Sequence, residues 1–301
     1  MLPQFPQFKN LELSDKEDVE KITHKYPPYS DFNFVSMWSW DIKGDMLISQ
    51  LNDNLVVKFT DYVTGEPFYS FLGNNKVNET AEELLELSKK EGLKLELKLV
   101  PEDSIKDLDN TKFKIQEDRD HFDYEYDIKS LSELEGEFFL KKRKVIKKFA
   151  ESNSFYYKIL DLNSVQSKSY IKEVNKLWEI KKKEIDKSFD YSNEFNAINK
   201  FLNTKIYNNT ISTFLFVDNL IAGYAIYETI SDIYVISHFA KANYSYPGIY
   251  DWMIQEDAKL LLNKGYKFLN FEQDLGLPGL KQNKKSFSTG LFLKKYLIML
   301  K

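Results

Sequence analysis

The sequence predicts an α/β protein with mixed sheets, built from two tandem copies of one unit. Three observations predict it. An Asp-Asn pair between apolar, β-rich runs occurs twice, at Asp53-Asn54 and Asp218-Asn219, and such pairs turn hairpins. A helical segment closed by glycine and followed by a strand also occurs twice, at Gly92 and Gly265, where glycine takes the left-handed cap conformation. Both features recur in the same order, and an ordered repeat points to duplication.

The elements follow in order. Ser14 and Glu17 form a capping box ahead of Val19 and Ile22, so the chain opens on a helix. Residues 47–59 are two short strands around the first Asp-Asn pair, and 68–72 is a third strand. A helix at about 81–90 is capped by Thr80 and Glu83 and ended by Gly92, and a strand at 93–99 follows. Residues 107–120 are charged and without periodicity, which suits a connector. Ser130 and Glu133 cap a short helix that Gly136 breaks. The second copy opens on Tyr170, Val174, Leu177 and Trp178, an apolar stripe at helical spacing. Residues 212–227 repeat the hairpin, 232–239 the strand, 249–264 the helix and 266–271 the strand after Gly265. The words Asp53-Asn54-Leu55-Val56 and Asp218-Asn219-Leu220-Ile221 nearly coincide, as do Gly92-Leu93-Lys94-Leu95 and Gly265-Tyr266-Lys267-Phe268. The apolar tail at 291–300, interrupted by Lys294 and Lys295, is expected to pack as a terminal element.

Composition narrows the chemistry. The 301 residues suffice for two ordinary domains, and 43% hydrophobic content supports a packed core. A net charge of -4 directs any polyanion contact to a local basic patch. With no cysteine, disulfides, thiolate-held zinc and a cysteine acyl-enzyme are excluded. Residues 1–10 lack the basic start and apolar stretch of a signal peptide, and no run reaches the roughly 18 apolar residues of a membrane span. The expectation is a cytoplasmic protein. His24, His121 and His238 have no metal-like spacing, so no metal site is predicted.

A basic run joins the two halves. As a helix it sets Phe138, Phe139, Val145, Ile146 and Phe149 on one face, with Lys142 among them, and Lys141, Arg143, Lys144, Lys147 and Lys148 on the other. One reading is a solvated lysine face. The other is a phosphate-contacting surface for tRNA or a phosphorylated cofactor. Only two of the 42 basic side chains are arginine, Arg119 and Arg143. Both sit at this joint, where a planar bidentate contact to an anion explains keeping arginine.

Here the sequence resembles a known family. The residues are Tyr29-Ser30-Asp31-Phe32 with Trp38, Asp118-Arg119-Asp120, Asp123-Tyr124-Glu125-Tyr126, Leu134-Glu135-Gly136, Lys141-Lys142-Arg143, and Glu272-Gln273-Asp274-Leu275-Gly276 with Gly279-Leu280-Lys281 and Lys284. They resemble the C-terminal catalytic domain of phosphatidylglycerol lysyltransferases and its soluble relatives. The resemblance implies two tandem GNAT-like domains, of the acyl-CoA N-acyltransferase fold. They are expected at 1–125, a scaffold copy, and 126–301, the active copy, which includes a basic helix at 137–150. It also implies transfer of an aminoacyl group from aminoacyl-tRNA. Lys281 stands where the family pattern has arginine.

In this fold the acyl donor lies near the start of the helix after the fourth strand. The chain offers Ala242-Asn243-Tyr244-Ser245-Tyr246-Pro247-Gly248-Ile249 there, a poor backbone nest for a pyrophosphate. That counts against coenzyme A and for an aminoacyl-tRNA donor. Glu272 and Asp274 end a strand, and a carboxylate there can bind an ammonium or act as base. The competing reading has them cap a loop or pair with Lys281 or Lys284. Gln273, Gly276, Lys281 and Lys284 are candidate substrate-binding residues, as are Tyr250 and His238. A core aromatic and a structural histidine are the alternatives for the last two. Arg119, Lys141, Lys142, Arg143 and Lys144 are the candidates for phosphate or tRNA.

The expected function is aminoacyl transfer to a soluble amine or hydroxyl on a small molecule or peptide, with no tightly bound cofactor. An acyl-CoA-dependent N-acyltransferase with an atypical loop and a non-catalytic ligand-binding module are the alternatives.

Overall fold

The computed structural model describes every residue except 62, 63, 186, 188, 189, 205–208, 288 and 289. Its strands are β1 (Lys9–Asn10), β2 (Leu47–Leu51), β3 (Asn54–Thr60), β4 (Pro67–Leu72), β5 (Leu97–Pro101), β6 (Phe113–Glu117) and β7 (Asp123–Asp127). They continue with β8 (Phe155–Ile159), β9 (Thr210–Val217), β10 (Leu220–Thr229), β11 (Tyr234–Ala242), β12 (Phe268–Asn270), β13 (Leu291–Leu293) and β14 (Lys295–Leu300). The helices are α1 (Lys16–Thr23), α2 (Phe34–Trp40), α3 (Val77–Lys90), α4 (Glu102–Ile105) and α5 (Ile128–Glu133). After them come α6 (Leu140–Ser152), α7 (Val165–Ile185), α8 (Ser192–Asn203), α9 (Ile249–Asn263) and α10 (Pro278–Lys285).

The strands form two sheets, ordered β1-β2-β3-β4-β5-β14-β6 and β13-β7-β12-β11-β10-β9-β8. In each, a hairpin and a third antiparallel strand lead through a helix to a parallel strand, β2-β3-β4-α3-β5 and β9-β10-β11-α9-β12. The repeated mixed α/β unit is therefore present as predicted.

The chain divides into two compact units, one of Met1–Tyr124, Glu272–Lys284 and Leu291–Lys301, the other of Glu125–Phe271 and Lys285–Gly290. The first unit takes in the end of the chain. β14 explains why. It lies antiparallel between β5 and β6, Tyr296 facing Val100 on one side and Glu117 on the other. The end of the chain thus completes the first sheet, and the loop from Glu272 goes with it.

The hairpin turns sharpen the repeat. Both central residues of each have positive φ, Asn52 (52°) with Asp53 (63°) and Asp218 (50°) with Asn219 (66°), as a type I′ turn requires. The matched Asp-Asn words are therefore one residue out of phase. Asn54 begins β3, buried, with its amide donating to Thr80 Oγ1 at 3.0 Å and to the Asn75 carbonyl at 2.7 Å. Those bonds also correct the expected capping box. Thr80 lies inside α3, which starts a turn earlier, and its hydroxyl serves Asn52 and Asn54. Gly92 (φ 70°) and Gly265 (φ 97°) do end their helices.

Other boundaries move for similar local reasons. At the start, Glu12 and Asp15 make the capping box expected of Ser14 and Glu17. Asp127, whose carboxylate accepts from Ser130 N at 2.7 Å, caps α5 in place of Ser130. The expected connector at 107–120 contains β6, an edge strand paired with β14. The strand expected at 93–99 starts at Leu97.

Each unit buries both faces of its sheet. In the first, Leu55, Val57 and Phe59 pack with Val19, Ile22 and Phe34. The intervening Val56 points into the other cluster with Ala81, Leu84 and Leu85 of α3, as strand alternation requires. In the second, Tyr224 donates to Asn175 of α7 at 2.7 Å, and Tyr227 to Asp257 of α9 at 2.7 Å. Trp252 packs among Phe149, Phe155 and Tyr157.

Candidate active site

The loop after β12 carries Glu272, Gln273, Asp274 and Gly276 inside the first unit. Its backbone is unusual. Glu272 (φ 57°) and Leu275 (φ 56°) both lie in the left-handed region, which costs a residue with a Cβ about 1 kcal/mol. Such outliers persist where the surroundings over-determine them, and they concentrate at functional sites. Here the surroundings are visible. The Glu272 carbonyl accepts from Tyr124 N at 3.1 Å, and Leu275 N donates to the Asp120 carbonyl at 2.9 Å. Gly276 is favoured by its φ of 68°, and a Cβ there would sit 2.8 Å from Asp120 Oδ2 and make that carboxylate shift.

Asp274 is the buried anchor of the loop. Its carboxylate accepts from Gly276 N at 2.9 Å and from the Tyr124 hydroxyl at 2.7 Å, and it lies 3.6 Å from Arg119 Nη1. Burial, then the bond to Asp274, raises the Tyr124 hydroxyl above its ordinary value. The Arg119 guanidinium lies in an aromatic slot, 4.4 Å from the Phe292 ring centroid and 5.3 Å from that of Tyr124. It also donates to the Tyr124 hydroxyl at 3.2 Å. Lys281 pairs with Asp120 at 2.7 Å, not with Glu272 or Asp274, and that bond lowers the Asp120 carboxyl.

Glu272 is half-buried, its Oε1 3.5 Å from Ser36 Oγ at the first turn of α2. Lys284 of α10 is buried beside the loop, with its ammonium 2.5 Å from the Gln273 carbonyl. Burial pushes Lys284 down to about 8, against the attraction of Glu272, Asp123 and Asp274.

The loop is backed by an ionic cluster none of whose members is among the candidate site residues. Lys295 of β14 is fully buried. It meets Asp123 Oδ1 at 2.7 Å, Ser30 Oγ at 3.3 Å and the Asp31 carboxylate. Ser30 completes the cluster, donating to Asp123 from its N at 2.7 Å and its Oγ at 2.6 Å. Burial alone would lower Lys295, yet Asp123 and Asp31 hold it raised. Gln273 Nε2 donates to Asp31 Oδ1 at 3.0 Å, which ties the cluster to the loop. The available signal was a lysine within an apolar terminal strand, together with acidic residues in two of the matched motifs.

The remaining selected residues lie in the second unit. His238 Nε2 is 2.8 Å from Glu228 Oε2, both buried between neighbouring strands. The Tyr250 hydroxyl accepts from Ala242 N at 2.9 Å. In the basic helix α6, Phe139, Ile146 and Phe149 are buried, while Phe138 and Val145 of the expected apolar face are exposed. Lys142 pairs with Asp251 at 2.6 Å and lies 3.9 Å from the Phe287 ring centroid. Arg143 donates to the Gly136 carbonyl at 2.8 Å and to that of Leu134, closing α5. Lys141 and Lys144 are exposed. Gly248 allows α6 to approach α9, since a Cβ there would meet Val145 Cγ1 at 2.8 Å and the Val145 carbonyl at 3.0 Å. Among the described residues, no group of three or more His, Asp or Glu could hold a metal ion. Among them too, no helix is long and apolar enough to cross a membrane.

Known proteins share this architecture. A conserved protein of unknown function from Bacteroides thetaiotaomicron VPI-5482 superposes with a TM-score of 0.82 at 25% identity, covering 100% of both chains. The C-terminal domain of a candidate lysylphosphatidylglycerol synthetase from Agrobacterium fabrum superposes with a TM-score of 0.62 at 13% identity, over 95% of this chain and 91% of that one. FemX gives a TM-score of 0.57 at 11% identity, over 97% and 96%. No curated protein matches the chain. The matched family points to a transferase. The model of the family "Phosphatidylglycerol lysyltransferase, C-terminal" matches residues 24–299, and the chain belongs to that family.

Proposed function

We propose that the protein transfers an aminoacyl group from aminoacyl-tRNA to a soluble amine or hydroxyl acceptor, a small molecule or a peptide, in the cytoplasm. The observation that carries this reading is Glu272. It is a partly exposed carboxylate in a left-handed conformation, on a loop fixed by Tyr124, Asp274 and Lys284. A half-buried carboxylate held on such a loop suits the ammonium of an acceptor.

With no cysteine in the chain, the simplest scheme is direct attack. Glu272 takes a proton from the acceptor ammonium, and the freed amine attacks the ester carbonyl of the donor. A carbon–nitrogen bond forms, and the carbonyl oxygen carries the negative charge of the tetrahedral intermediate. Collapse breaks the ester bond, the proton held by Glu272 passes to the departing ribose oxygen, and the second proton on the attacking nitrogen is lost to solvent. The products are an amide and uncharged tRNA. Lys284, buried next to the same loop, supplies positive charge that favours an oxyanion. Asp274 has its oxygens committed to Tyr124 and Gly276, so it serves to hold the loop. The exposed Lys141 and Lys144 suit contact with tRNA phosphates.

The acyl-CoA alternative is disfavoured by Gly248. The one glycine of the 242–249 segment is used for packing against Val145. Protein incubated with charged tRNA and a set of amines should release tRNA and form amide faster than the uncatalysed reaction, and Glu272→Gln should abolish the excess. A rise in melting temperature with acetyl-CoA, without turnover of charged tRNA, would favour the alternative.

A further inference from the structure

We propose that Lys295 is a positioning residue that fixes Glu272 through Asp31 and Gln273. The inference rests on the aminoacyl-transfer reading of the Glu272 loop. Lys295, Asp31, Asp123 and Ser30 are all buried in the first unit. A buried ammonium needs partners, and Asp123 at 2.7 Å already supplies one. The second carboxylate does more than neutralise. Asp31 turns Oδ2 to Lys295 and Oδ1 to Gln273 Nε2, the latter at 3.0 Å.

Gln273 is consequently held at both ends. Asp31 holds its side chain, and Lys284 donates to its carbonyl at 2.5 Å. It directly follows Glu272, whose φ of 57° is uncommon for a residue with a Cβ. Lys295 sets the orientation of Asp31, Asp31 sets that of Gln273, and Gln273 limits how Glu272 can turn. The backbone of Lys295 adds a second brace, since its carbonyl accepts from Asp118 N at 2.9 Å, one residue before Arg119. The same lysine thus supports the site's carboxylate from one side and its arginine from the other.

Two variants test the link. Lys295→Met removes its source but takes the ammonium away from two buried carboxylates, so it can fail to fold. Gln273→Met cuts the link at a half-buried side chain while Lys295 keeps both carboxylates. In Gln273→Met, amide exchange of residues 273–276 should quicken about tenfold or more. The kcat of aminoacyl transfer should fall about 10- to 100-fold, in the range found when supporting contacts are removed, with KM nearly unchanged. A folded Lys295→Met should match it in both. Unchanged loop exchange in Gln273→Met would overturn the proposal, and so would a raised KM with unchanged kcat, which would make Gln273 a substrate contact. If the wild-type protein transfers no aminoacyl group, the functional reading fails, and the exchange comparison still decides whether the link positions the loop.

Discussion

Lys284 gives the most quantitative expectation. Its folded value of about 8 lies below the ordinary lysine value of 10.5, chiefly through burial. Between those two pH values the unfolded chain keeps the proton that the folded chain has released. Folding is therefore favoured increasingly as pH rises through that window, and below pH 8 the folded protein bears the full cost of a buried ammonium. The difference corresponds to about 3 kcal/mol, at ~1.4 kcal/mol for each tenfold change in proton affinity. Lys284→Met removes the titrating group and should flatten this rise. The assay is urea unfolding at pH 7.5, 8.5 and 9.5, followed through Trp38 and Trp40, the first unit's own tryptophans. The gap between variant and wild type should shift by about 2 kcal/mol in favour of wild type across the range. Parallel pH profiles would refute the claim that Lys284 is buried and destabilised as a cation.

Further expectations follow from the same contacts. Glu272 is the largest influence raising Lys284 against burial, so Glu272→Gln should move the Lys284 titration, followed by NMR, to lower pH. Asp257 is fully buried and pushed up to about 6 by burial, against the Tyr157 and Tyr227 hydroxyls that lower it. The folded state then holds a proton that the unfolded state has lost between about pH 4 and 6, and stability falls as pH rises through that window. Asp257→Asn should remove about 3 kcal/mol of that dependence, measured by urea unfolding of the second unit through Trp252. Gly248→Ala should destabilise by about 2 kcal/mol or more, combining a φ of 89° with the contact on Val145. Gly265→Ala has a similar φ and nothing within 4 Å, so it should lose only the backbone part, about 1 kcal/mol, and melting temperatures of the two variants should separate accordingly.

The sequence made the repeat legible because turns and caps are local. Asp218-Asn219 and Gly265 state their conformations through their own backbone preferences, and both are present as expected. The phase of the first turn was not legible, because it depends on Asn54 reaching Thr80 and Asn75, more than 20 residues away. The assignment of the chain's end was hidden for the same reason. Nothing near Lys295 in sequence states that β14 lies between β5 and β6.

At the candidate site, the Glu272 loop was found through its motif, while its supports were not. Asp31 and Asp123 were visible as motif residues, but their common partner lies 264 and 172 positions further along the chain. Arg143 stood out by rarity, yet its guanidinium closes a helix by binding carbonyls. A scarce residue kept for planar hydrogen bonding can serve the backbone as well as a phosphate.

The most direct test of the account is a single-turnover reaction of purified protein with aminoacyl-tRNA and an amine acceptor, comparing wild type with Glu272→Gln by mass spectrometry. The account predicts an amide product with wild type and at least a 100-fold lower rate with the variant, a loss typical of removing a catalytic acid–base group. Equal rates in the two proteins, or amide formed from acetyl-CoA and not from charged tRNA, would contradict it.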